Sequence, residues 1–168
     1  MNLDGYALPI KKLKGNEPVE SLNLSRKGLG VSSAIVIASL IGVNGALTRV
    51  DVRHNTRVSP KNNIAGGASH LAAAVLGNLK IEIFNKIPIK EMRANSLTEL
   101  DLKEKYVGVE GGMVVAGLIP VMGALTSLDL SGNQLCGLDV WGRGTYTAAG
   151  ITAIADSLRV NGALTEVR

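Results

Sequence analysis

The segment VNGALT at 43–48 returns unchanged at 160–165, and VMGALT at 121–126 differs from it at one position. A hexapeptide written three times at distant positions asks for the same local structure three times, which constrains the fold more than any other feature. Laying 21–55 over 99–133, an offset of 78, matches 16 of 35 positions without a gap. Leu22/Leu100, Leu24/Leu102, Gly30/Gly108, Leu47/Leu125, Asp51/Asp129 and Asn55/Asn133 are among the pairs. The segment LPIKKLKGN at 8–16 similarly resembles IPIKEMRAN at 87–95. The chain therefore holds two copies of a unit of about 80 residues, the second cut short at Arg168.

Each large unit contains smaller ones. LTRVDVRHN (47–55), LTELDLKEK (97–105), LTSLDLSGN (125–133) and VESLNLSRK (19–27) place apolar residues at offsets 0, 3 and 5. NLKIEIFNK (78–86) fits at Ile81 and Ile83 with Asn78 in the first position, and LTEV (164–167) begins a sixth copy. Alternation with period two makes a short strand with one face buried. The final Asn of the pattern turns the chain, its amide bonding backbone groups that the curve leaves free. Between the strands, 31–43, 65–78, 110–122 and 147–160 carry apolar residues near helical spacing, and most close with Gly or Asn-Gly. VNGALT is thus the end of a helix, a corner, and the way into the next strand.

The pattern L-x-x-L-x-L-x-x-N, with LTSLDLSGN followed by a helix such as GITAIADSL, resembles leucine-rich repeats of the ribonuclease-inhibitor-like class. That resemblance implies an α/β fold: a right-handed leucine-rich repeat solenoid, with parallel strands on the concave face and helices on the convex face. The domain expectation is a single unit over 1–168. Residues 1–18 form an N-terminal partial repeat or cap, and 19–168 about five repeats plus a truncated sixth strand. Departures from the pattern predict a short, irregular horseshoe. Lys27, Lys86 and Lys105 take the slot that Asn55 and Asn133 fill elsewhere. The unit 78–96 is only 19 residues long, and GLDVWGRGTYT is inserted between strand and helix in the fifth unit.

Little points to chemistry. Only His54, His70 and Cys136 are of the types that prefer transition metals, and no two are adjacent, so neither a metal nor a cofactor is expected. Asp129 and Asp101 suggest a carboxylate pair, but Asp51 holds the same repeat position, which makes them repetition. WGRGT lacks the Gly-Lys-Ser/Thr of a phosphate loop. Net charge of +4 comes without a stripe of aromatics among the bases, so no nucleic-acid partner is expected. The uncharged run 28–48 has membrane-spanning length but is cut by the repeat into turn, helix and strand, so no membrane partner is expected either. The absence of a signal-like N-terminus, with a lone cysteine, suggests an intracellular protein.

The expected function is a non-enzymatic protein-interaction module. Residues between the buried leucines mark its surface: Arg49, Asp51, Arg53, Lys80, Glu82, Phe84, Glu99, Asp101, Lys103 and Asp129. Phe84, the only phenylalanine, is the expected anchor. The inserted loop 137–147 offers a second surface through Trp141, Arg143 and Tyr146. A strand edge at Leu164 and Val167 suggests a homo-oligomer. The alternatives are a self-assembling fragment of a longer array, or a ligand sensor or enzyme built on the inserted loop.

Overall fold

The atoms that turn helix into strand are the same at each full copy of the hexapeptide. In the computed structural model, which describes residues 1–55, 63–139 and 141–168, Asn44 donates from Nδ2 to the carbonyls of Lys12 and Leu13. Its Oδ1 accepts the amides of Ala46 and Leu47. Asn161 repeats this with the carbonyls of Ile119 and Met122 and the amides of Ala163 and Leu164. Thr48, Thr126 and Thr165 each donate Oγ1 to the carbonyl that precedes or enters the neighbouring strand, at Glu20, Thr98 and Thr126. Leu47 and Leu125 are fully buried.

The chain opens with β1 (Asn2–Leu3) and β2 (Tyr6–Ala7), an antiparallel pair, then α1 (Ile10–Leu13). Next come β3 (Ser21–Asn23), α2 (Val31–Ile41), β4 (Arg49–Asp51), and a 3-10 turn (Ile64–Gly67) that leads into α3 (Ala68–Gly77). Then β5 (Ile83–Phe84) turns into β6 (Ile87–Pro88), and α4 (Ile89–Arg93) follows. The second half holds β7 (Glu99–Asp101), α5 (Gly108–Leu118) with a 3-10 turn (Ile119–Val121), β8 (Ser127–Asp129), α6 (Ala149–Leu158) and β9 (Glu166–Val167). Helical spacing decides the inward faces: α2 buries Ala34, Ile37, Ala38 and Ile41, and α3 buries Ala68, Leu71, Ala72 and Val75. The helices form one layer in which α2 packs on α3, α3 on α5, and α5 on α6. Glycines let them close up: a Cβ on Gly67 would lie 2.4 Å from that of Ala34, and one on Gly117 2.5 Å from a methyl of Leu76.

The leucine-rich repeat solenoid with one parallel concave sheet is not what forms. The described strands fall into three small sheets, β1-β2, β3-β4-β5-β6 and β7-β8-β9, and the architecture is mixed α/β with both parallel and antiparallel pairs. The break lies in the 19-residue unit. Asn85 and Lys86 adopt φ of +50° and +67°, turning the chain straight back, so β6 runs antiparallel on β5 and β7 begins a separate sheet. Too few residues remain for a full crossover helix, and α4 makes little more than one turn.

The register corrects a second expectation. Val50 pairs with Leu22 on one side and Phe84 on the other, so Phe84 takes the inward position and is 0% exposed. Asn78 is not the equivalent of Leu47 but of Asn44: it donates to the carbonyls of Ile41 and Asn44, and Ile81 matches Leu47. The unit is offset by three residues from the sequence reading, so Ile83, not Phe84, faces outward. Phe84 cannot be a surface anchor.

Phe84→Ala removes a fully buried ring from an inner strand of the four-stranded sheet and should cost about 3–5 kcal/mol of folding stability. A shift in the urea midpoint with an unchanged slope would show it; a midpoint equal to that of the unaltered chain would contradict the register.

Candidate protein-interaction face and the junction beneath it

The outward residues of β3, β4 and β5 are Ser21, Asn23, Arg49, Asp51 and Ile83. With Arg53 and Lys86 they line a shallow cleft of about 190 Å³. Arg53 forks onto Asp51, Nε to Oδ1 at 2.9 Å and Nη2 to Oδ2 at 2.7 Å, and its Nη1 donates to the carbonyl of Lys105 at 3.1 Å. Burial opposes the ionisation of Asp51. Hydrogen bonds from the Arg53 side chain and amide, with the charges of Arg53 and His54, outweigh it and hold this carboxyl below its usual range. Ile83 is half-buried, and Arg49 and Lys86 are exposed.

The strand-end aspartates and Asn23 serve the backbone. Asn23, Asp51, Asp101 and Asp129 each accept, at Oδ1, the amide two residues on, from Ser25, Arg53, Lys103 and Ser131 at 2.8–3.0 Å. Repetition at this position is therefore turn chemistry. On the second sheet Glu99 and Asp101 stand exposed, with Lys103 beyond them. Lys80 and Glu82 lie before β5, outside the outward strand row; Lys80 is exposed, and Glu82 is held by Lys90 at 2.8 Å. Leu164 is half-buried against the core, whereas Val167 is exposed.

The inserted loop is a closed structure. Leu138 and Gly144 form an antiparallel bridge, and the buried Asp139 accepts the amides of Trp141 and Arg143 at Oδ1 and the Nε of Arg143 at Oδ2. The Arg143 guanidinium stacks 4.7 Å from the centre of the Trp141 ring. Only glycine fits at 137, where φ is +77° and a Cβ would meet the carbonyl oxygen of Thr145 at 2.3 Å. Trp141 and Tyr146 are 66% and 67% exposed; Val140 lies outside the described residues.

Where the two sheets separate, side chains from both halves meet. Arg53 reaches Lys105, the rings of His54 and Tyr106 lie 4.4 Å apart, and Asn85 donates from Nδ2 to Oε1 of Glu110 at 3.0 Å and to the carbonyl of Val107 at 3.4 Å. The Oδ1 of Asn85 accepts the amide of Val52, so this residue, and not Lys86, does the work of the pattern asparagine. Glu110, in the first turn of α5, is 2% exposed and its Oε2 has no hydrogen-bond partner among the described residues. Burial pushes its carboxyl up to about 7, against hydrogen bonds from its own amide and Asn85, and the negative charge of Asp51 adds to the rise.

Neither Asn85 nor Glu110 stands out in the sequence, since Glu110 opens a helix where a carboxylate is commonplace on the surface. The recurrence of a corner asparagine at 44 and 78 is the signal that would have placed Asn85 and Ile83 correctly. No group of three or more His, Cys, Asp or Glu residues suited to a metal occurs among the described residues. No helix among them is long and apolar enough to cross a membrane.

No family model matches the chain, and no curated protein matches it. A solved structure titled "Leiomodin-1 Actin-Binding Site 2 (ABS2)" superimposes over 95% of this chain and 75% of that one, with a TM-score of 0.46 and 15% identity. A likeness of that degree assigns no activity.

Glu110 makes stability depend on pH. Its folded pKa is raised from 4.5 to about 7, so its contribution is complete below about pH 4.5 and is lost as pH rises through 7. The loss amounts to about 3 kcal/mol. Glu110→Gln should remove that part of the slope and leave the variant the more stable at pH 8. Parallel urea titrations of the two proteins at pH 5 and pH 8 check this; equal slopes would contradict it.

Proposed function

We propose that this chain is a non-enzymatic protein-binding module that docks its partner on the outward face of the first sheet. The carrying observation is the cleft lined by Arg49, Lys86 and Ile83, where two exposed bases flank a half-buried aliphatic side chain. Interfaces draw specificity from charge at the rim and energy from desolvated apolar contacts, and this cleft offers both. The inserted loop supports the same reading. Trp141, Arg143 and Tyr146 are of the types that dominate binding energy, and Asp139 holds two of them in place before any partner arrives. The module is read as acting inside the cell, where half-buried Cys136 stays reduced.

The reading predicts that Arg49→Glu combined with Lys86→Glu weakens partner binding at least tenfold without loss of folding. Affinity capture with the unaltered chain, this variant, and a control altered at Lys11 and Lys12 provides the measurement. A partner retained by chain and control and lost by the variant is expected; one held equally by all three would overturn the face.

A further inference from the structure

The two strand faces carry opposite charge. The inward residues of both sheets, Leu22, Val50 and Phe84 in one and Leu100 and Leu128 in the other, belong to one hydrophobic core under the continuous helix layer. The outward residues of both sheets therefore lie on the side away from the helices, and Arg53 joins the two faces through the carbonyl of Lys105. In the cleft of the first sheet, Arg49, Arg53 and Lys86 stand against Asp51 alone. Arg53 and Asp51 neutralise one another, the Glu82 carboxylate that feels the charge of Arg49 is already paired with Lys90, and neither Arg49 nor Lys86 forms a salt bridge among the described residues. On the second sheet, Glu99, Asp101, Asp129 and Glu166 stand against Lys103 and Arg168, and Arg168 is already paired with Glu166. One half of the face is basic and the other acidic.

We propose that this face is self-complementary and that a second copy of the chain docks on it about a twofold axis, the basic cleft of each copy meeting the acidic strands of the other. The inference rests on the docking face proposed above and names its occupant. A face of single sign repels its twin. A face with opposite signs at its two halves attracts its twin in the antiparallel arrangement, and twofold symmetry makes each favourable contact twice. Ile83 supplies an apolar contact within the basic half. Because the attraction is between exposed charges, association weakens as salt rises and the Debye length shrinks to a few ångströms.

Sedimentation equilibrium of the full chain at low and high salt tests this. The expected mass rises with concentration from the 17.5 kDa of one chain towards twice that, and falls back in about 1 M salt. Arg49→Glu/Lys86→Glu makes both halves acidic, and Glu99→Lys/Glu166→Lys makes both halves basic. Each variant alone should associate at least tenfold more weakly, and an equimolar mixture should recover the dimer, with circular dichroism confirming that both fold. A chain of single mass at every low-salt concentration, a variant that dimerises as well as the unaltered chain, or a mixture that stays monomeric overturns the inference. A labelled ten-residue polyglutamate peptide separates this from the reading beneath it. If the monomeric chain binds the peptide and Arg49→Glu/Lys86→Glu does not, the docking face stands with an acidic partner and only the second copy is wrong. If the chain neither associates nor binds peptide, both fall.

Discussion

Backbone amides and carbonyls left unpaired at a corner must find partners, and at most of the helix-to-strand corners among the described residues side-chain amides supply them. Asn44, Asn78 and Asn161 each tie a corner to the corner before it, and Asn55, Asn85 and Asn133 each hold the turn after a strand. An amide suits the role because it donates and accepts from one rigid group. Each asparagine so placed joins two segments some 30 residues apart, which is what stacks one strand beside the next.

Where the asparagine is missing, the architecture changes. Met122 replaces it in VMGALT, and the amide of Ala124 is met instead by Oδ1 of Asn95. In the short unit between the sheets, the Arg93 guanidinium takes over, donating to the carbonyls of Val75, Leu76 and Ile81. Burial lowers the pKa of this guanidinium, yet arginine stays charged, and its fork satisfies several carbonyls at once. A long side chain reaching back from α4 spans a gap that a repeat of full length would have filled with a helix. The strand ladder breaks at the same place. The interruption thereby creates two sheets whose faces are free to differ, and their charges do differ.

The junction has a cost of its own. Glu110 is buried, within reach of the Asp51 charge and with one oxygen lacking a hydrogen-bond partner among the described residues, an arrangement that costs stability. It opens the helix that begins the second half, directly under the break. Arg53 ties the same place together from the outer side by holding Asp51 and Lys105 at once. Charge at the surface and charge in the core therefore meet in a few residues.

By itself the sequence determined the alternation of short strands and helices, the positions of the corners other than that at Asn78, the shortness of the unit 78–96 and the inserted loop. These follow from local periodicity and from residues whose preferences are local: leucine at the core positions, glycine and asparagine at turns. The tertiary structure alone decided which phase of β5 faces inward. In IEIF either Ile83 or Phe84 can be buried, and a shift of one residue inverts every side chain. Pairing of Phe84 with Val50 settles it, because β5 must align with a neighbour whose own phase is already fixed by Leu22. The same holds for the division into separate sheets and for the burial of Glu110. Both depend on how segments far apart in the chain come together, and no pattern within a window of the sequence contains that information.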